Sequence, residues 1–227
     1  IDAILLEIDS PGGGAVASQE IVQALSETNK TKYSVIRSVG ASGAYWISAA
    51  TDKIYANPLS MVGSIGVISS YLGFSGLMDD YNVTYNRLVS ADYKDMGTPY
   101  KELTDKEREI FENQLDVVHN FFVEDVSVKR SLPLEQVKEI STGQVYIGKE
   151  AIENGLIDEL GNMDSAKQDL EDILNKTVVI KEMPRSTSFA DLFSMKSDSF
   201  AFNFGKGFAS FMTRSSEKNE PLLMQMR

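Results

Sequence analysis

Apolar residues recur along this chain in a repeating order. Residues 3–8 (AILLEI) form a short, nearly unbroken apolar run that ends at Asp9, the pattern of a buried parallel strand. Helical spacing follows over residues 15–25. The cycle then repeats: an apolar run at 34–39 (SVIRSV), a glycine turn, and an apolar helix over 42–50 (SGAYWISAA). Strand, turn and helix in succession predict α/β layering.

Further strands are expected at 53–56, 64–69 and 84–89, with a small helix around 74–81. The clearest helix starts after Thr104, which pairs with Glu107 as a capping box. It runs to about Arg130, with Phe111, Leu115, Val118, Phe122 and Val126 along one stripe. Beyond Pro133 the pattern predicts a helix, a turn at Gly148 leading into a helix that reaches Asn154, a strand at 156–160, a helix at 164–174 and a strand at 178–181. No internal repeat is visible. The character changes near the end, where 7 of the 11 Phe residues fall between Phe189 and Phe211.

Composition narrows the function classes. At 227 residues and 42% hydrophobic content the chain can bury a real core. Its 22 basic and 33 acidic residues leave a net charge of −11, which repels phosphate backbones and makes nucleic acid an unexpected partner. Cysteine is absent, so there is no thiol nucleophile, thiolate metal site or disulfide framework. With a single histidine and no ligand-spaced carboxylate cluster, neither metal nor cofactor is expected. No stretch reaches the roughly 18 consecutive apolar residues of a membrane span. Ile1 opens directly on a strand-like run, so further chain upstream is expected.

Two glycine-rich turns carry candidate chemistry. Residues 10–14 (SPGGG) follow a strand and precede a helix, where glycines let backbone N–H groups turn toward an anion. Gly12, Gly14 and Ala17 also fit a dinucleotide pattern, but the next strand ends Arg37-Ser38-Val39-Gly40, without the acidic residue a ribose wants. A plain tight turn is the third reading. The second turn, Gly40-Ala41-Ser42-Gly43-Ala44, approximates the nucleophile elbow G-x-S-x-G. The plain alternative is that Ser42 caps the following helix.

A serine nucleophile needs a base. His119, the single histidine, lies within the long amphipathic helix and borders its apolar stripe, a structural setting. Lysine is the known substitute, provided that a dry pocket favours its neutral amine. At a reference pKa of ~10.4, only a few lysines in ten thousand are neutral near pH 7. Lys94, in 90–99 (SADYKDMGTP), would by default be a solvated surface lysine. Ser64 would by default be an ordinary turn serine.

Over residues 2–160 the chain resembles the signal peptide peptidase A (protease IV) family, through SPGGG at 10–14, ASGAYWIS at 41–48, GSIGV at 63–67 and SADYKDMGTP at 90–99. The resemblance implies Ser42 as nucleophile, Lys94 as general base, Ser64 as the hydroxyl orienting the lysine amine, and Gly13 as an oxyanion-hole N–H. It implies a Clp protease/crotonase-like α/β fold of stacked strand-helix units with a parallel sheet, followed by helices. Ala44 departs from the pattern, standing where glycine often follows the Ser-Gly pair.

The resemblance also implies peptide substrates, chiefly remnant signal peptides, and a dome-like homo-oligomeric ring, an octamer being one option, with each site completed by a neighbour. It further implies a membrane tether upstream and an extracytoplasmic catalytic region. On this reading residues 1–182 form the peptidase domain. Residues 183–227 form a tail that packs on the core, on a neighbouring subunit or on a membrane surface, and residues 221–227 (PLLMQMR) are themselves substrate-like. Three rivals stand beside it. One is a Ser/His hydrolase using Ser42 and His119, with Asp95 or Asp116 as the acid. Another is a crotonase-like or nucleotide-binding module built on residues 12–14. The last is an inactive scaffold.

Overall fold

The computed structural model describes residues 1–183, of which Ile1–Val178 form one compact unit. The Phe-rich stretch and the 221–227 run lie outside the described residues.

The elements follow the order β1 (Ala3–Ser10), α1 (Ala15–Glu27), β2 (Thr31–Ala41), α2 (Gly43–Ala49), β3 (Lys53–Ala56), β4 (Met61–Gly63), α3 (Ser75–Asp80), α4 (Asp105–Arg130), α5 (Leu134–Ile140), β5 (Val145–Ile147), α6 (Gly148–Glu153), β6 (Glu159–Leu160) and α7 (Met163–Leu174). The strands form one sheet in which β2 is central. Its first half lies between β1 and β3, and its last residues, Val39 to Ala41, pair with β4. All pairings are parallel except β4 with β5.

Both faces of β2 are covered, which explains its continuous apolar run. On one side Ile36 joins Tyr45, Trp46, Ile54, Val62, Phe122, Val126, Val137 and Leu156 in the main core. On the other, Tyr33 and Val35 meet Tyr55, Ala166 and Leu170 beneath α7. Trp46 stacks on Phe122 with ring centroids 4.5 Å apart, and its indole N–H donates to Asp125 at 2.7 Å. The buried Tyr45 hydroxyl donates to Leu156 O at 2.9 Å, so the apolar body of α2 is anchored by polar groups at its edges.

A bulge in β2 aims the chain at the site. Ile8 pairs with Ile36, but Ser10 pairs with Gly40, so β2 carries extra residues across that step. Asp9 accepts from Val39 N at 3.0 Å. The buried Ser60 hydroxyl donates to the Ile36 and Arg37 carbonyls and accepts from Asn57 N. These bonds satisfy the polar groups that the bulge releases and turn the end of β2 toward β4.

Helix α4 has the expected cap. Thr104 and Glu107 bond reciprocally, acidic residues occupy its first turn, and Lys129 and Arg130 occupy its last. Phe122 and Val126 of the apolar stripe are buried, while Phe111, Leu115 and Val118 are half-buried.

Three expected strands are corrected among the described residues. Residues 64–69 leave the sheet because Gly63 (φ +92°) and Ser64 (φ +51°) take left-handed backbone in succession, which ends the strand at Gly63. Residues 84–89 and 178–181 form no ladder, since no described strand lies alongside to accept one. The sequence reading did not anticipate β5, which is short and pairs edge-on with β4.

Residues 68–100 form an exposed arm. Ile68 (89% exposed), Leu72 (74%) and Leu88 (95%) lie on its surface. Leu77, Met78, Tyr81 and Val83 line an open apolar depression on it.

Candidate active site

Ser42 sits between β2 and α2 with φ +52° and ψ −127°. For a residue with a Cβ this backbone costs about 1–3 kcal/mol and persists where the surroundings hold it. Two hydrogen bonds do so: Ser42 N donates to Gly63 O at 2.7 Å, and Ser42 O accepts from Trp46 N at 3.0 Å. The serine side chain makes no capping bond to α2, which removes the plain helix-cap reading.

The glycine loop lies directly against this turn. Gly12 has φ +110°, and a Cβ there would come within 2.9 Å of Ala41 O, Gly43 N and Ser42 Cβ. Only glycine allows that approach. Gly43 is equally confined: a Cβ on it would overlap Ser18 Oγ and come within 3.4 Å of Gly13 N. Gly13 itself is exposed, with open space beside its Cα. Its amide lies beside the serine turn, 3.4 Å from where a Cβ on Gly43 would stand. Because Gly12 packs on the serine turn, the loop's tightest face is already filled by protein, which disfavours the dinucleotide reading.

Ser64 is linked to the same place through the backbone, since its preceding residue, Gly63, accepts from Ser42 N. Ser64 N donates to Gln144 O at 2.8 Å, and its hydroxyl donates to Gly143 O at 3.2 Å. The glycine loop and the residue before Ser64 thus both touch the Ser42 turn, the one by packing and the other through Gly63 O.

Lys94 does not join them within one chain. It lies in a series of turns on the exposed arm, its side chain is exposed, and among the described residues its amine makes no hydrogen bond to Ser42 or Ser64. The dry pocket a lysine base requires is not formed by this chain alone. His119 makes no hydrogen bond to Ser42 either; its Nε2 is buried without a partner on α4.

The family resemblance nominated Gly13, but sequence reasoning missed Gly12 and Gly43 as the residues whose lack of a side chain lets the loop meet the Ser42 turn. The SPGGG run contained the signal, but which glycine touches Ser42 is a tertiary fact.

A serine held in left-handed backbone at a strand-to-helix turn, with a glycine loop packed against it, is the architecture of a serine hydrolase site. The chain belongs to peptidase family S49, whose profile matches residues 24–178. The "Putative signal peptide peptidase SppA" of Enterococcus faecium is 35% identical over 195 residues, covering 84% of this chain and 57% of that protein. "Serine protease SPPA, chloroplastic" of Arabidopsis thaliana is 32% identical over 201 residues, covering 85% of this chain and 30% of the relative. "Protease 4" of Haemophilus influenzae is 31% identical over 179 residues, covering 78% and 29%. This chain therefore spans under two thirds of the length of each of these relatives.

Proposed function

We propose that the chain is the catalytic part of a serine endopeptidase with a Ser/Lys dyad, completed where subunits meet. The observation that carries this reading is the uncapped, left-handed Ser42 with Gly12 packed against its Cβ. Ser42 attacks the peptide carbonyl, and Gly13 N–H receives the developing oxyanion. Lys94 of a neighbouring subunit takes the serine proton while Ser64 orients its amine. Water then hydrolyses the acyl-enzyme.

The exposed arm supports the shared site. It carries Lys94 away from its own core and bears many apolar side chains that association would cover. Assembly into a dome-like ring would supply the desolvation that an isolated chain does not. For substrates we propose remnant signal peptides and other hydrophobic, loosely structured peptides, in keeping with the name of the Enterococcus relative. We place the enzyme at the cell membrane with its catalytic region extracytoplasmic, on the family resemblance. Among the described residues no helix is long and apolar enough to cross a membrane, so the tether of this proposal is assigned to chain outside them.

The test mixes dissociated Ser42→Ala and Lys94→Ala proteins, each inactive alone, and reassembles them. Peptidase activity returns if the serine of one subunit meets the lysine of another. No recovery in properly reassembled rings refutes the shared site. Activity that survives Lys94→Ala but is lost in His119→Ala transfers the role of base to the histidine.

A further inference from the structure

Around Lys94 a chain of charges runs from the arm to α4. Arg87 Nε and Nη2 donate to the two Asp95 carboxylate oxygens at 2.7 and 2.9 Å, and Nη2 also donates to Asp92 O at 2.6 Å. One guanidinium therefore grips the chain on both sides of Lys94. Lys101 then bridges Asp95 at 3.6 Å and Glu107 at 2.5 Å. Glu107 completes the α4 cap through Thr104. The Asp95 side chain is 11% exposed and that of Glu107 is 3%.

The turn is pinned by its backbone as well. Lys94 N donates to Ala91 O, Met96 N to Tyr93 O and Thr98 N to Asp95 O. Gly97, at φ +80°, leaves room for the Phe111 ring, which a Cβ there would meet at 3.1 Å. The Lys94 side chain, by contrast, takes no part in this chain of ion pairs.

We infer that the Arg87–Asp95–Lys101–Glu107 chain is a presenting clamp that positions Lys94 for a neighbour's serine, with Arg87 and Asp95 as positioning residues. This rests on Lys94 being the base. The Arg87 side chain is 38% exposed, so its pair with Asp95 is only partly desolvated and contributes modestly as a folding device. Residues 68–100 bury few apolar side chains and take order from their polar contacts. The fork also occupies both Asp95 oxygens, and the Arg87 guanidinium beside Asp95 holds that carboxyl below the usual carboxylate range. A free carboxylate one residue from Lys94 would pair with its ammonium and favour the protonated form. The other charged or titratable groups around the turn are Asp92 and Tyr93 within it, Lys101, and Lys106 and Glu107 on α4.

The test uses the assembled protein and a fluorogenic peptide, comparing Arg87→Gln, Arg87→Lys, Asp95→Asn and Lys94→Ala. Arg87→Gln and Asp95→Asn are expected to lower kcat about 10- to 100-fold, as misplacing a catalytic group does, with KM within about twofold of the starting protein's. Unfolding temperature should fall by less than about 4 °C. Arg87→Lys, which keeps the charge but not the fork, restores only part of kcat. Arg87→Gln alone moves the acid limb of kcat/KM to higher pH, because it leaves the Asp95 carboxylate with only the longer Lys101 contact at 3.6 Å.

The clamp is overturned if Arg87→Gln and Asp95→Asn keep kcat within twofold while Lys94→Ala is inactive. It is equally overturned if activity in every variant falls only in step with unfolding temperature, which is the signature of a stability device. Full activity in Lys94→Ala refutes the Ser/Lys reading itself, and the clamp with it.

Discussion

Ser42 N donates to Gly63 O at 2.7 Å, and this bond joins the end of one strand to the residue before another candidate catalytic serine. It extends the β2–β4 pairing by one step, beyond Ala41 opposite Gly63. The Ser42 turn and Ser64 are therefore joined through one strand pairing, and displacing either moves the other.

The loop that supports this edge is sterically committed. Gly12→Ala is expected to destabilise the fold by about 1–3 kcal/mol and to abolish peptidase activity, because the added methyl meets backbone at 2.9 Å in a left-handed conformation. Urea unfolding together with labelling by a serine-reactive probe checks both effects. Gly13→Ala, which meets open space, is expected to leave stability within about 0.5 kcal/mol.

Gly43 and Ser18 form a coupled pair. Gly43→Ala should cost about 1–3 kcal/mol through overlap with the Ser18 hydroxyl. Ser18→Gly in the same chain should recover much of that loss, giving a non-additive double-mutant cycle by thermal unfolding. Additive effects would show that the two residues do not meet.

Phe122 is 2% exposed and stacks on Trp46, the single tryptophan. Phe122→Ala should cost about 3–5 kcal/mol. Because Trp46 begins one turn after Ser42, its emission should shift and serine-probe labelling should slow in the same variant. Intrinsic fluorescence and labelling rate measure the two together.

Beneath α7, Asp169 accepts from Lys53 at 2.9 Å and from Tyr55 at 2.8 Å. The Lys53 bond, opposed by burial and aided by the tyrosines, holds the Asp169 carboxyl below its ordinary value of 3.8, while burial pushes the Tyr55 hydroxyl up to about 12. A carboxyl lowered on folding contributes stability that is complete above that ordinary value and is lost as pH falls through the lowered one. The wild-type chain should thus lose its advantage over Asp169→Asn progressively as pH falls below the ordinary carboxylate value of 3.8 in urea titrations. An advantage that persists at the acid end would count against the pairing.

The arm predicts a mass effect without a folding effect. Leu88 is 95% exposed, so Leu88→Glu should leave the unfolding midpoint within about 0.5 kcal/mol. Under the shared-site reading it should lower both the assembled mass in sedimentation and the activity.

Much of the architecture was legible because local pattern and tertiary role agree. The AILLEI run became β1, the Thr104–Glu107 pair capped α4, and the alternation of strand and helix became the largely parallel sheet. The readings failed where a local pattern had no partner. Residues 84–89 have strand-like spacing but no described strand beside them, and residues 64–69 were diverted by two consecutive left-handed residues. β5 was invisible because three residues carry too little periodicity.

At the site, residue types alone offered the 10–14 glycine turn and Ser42 on a strand-to-helix turn, while Gly13, Ser64 and Lys94 were named only through the family resemblance, because by local pattern a lysine in a loop is a surface lysine and a serine before a strand is a turn serine. Composition alone determined that thiol chemistry is absent. Tertiary structure decided that Gly12 packs against Ser42, that the Ser42 side chain does not cap α2, and that Lys94 is exposed on its own chain. Those are distances between segments far apart in sequence. They depend on the β2 bulge and the β2–β4 pairing, which no local pattern encodes.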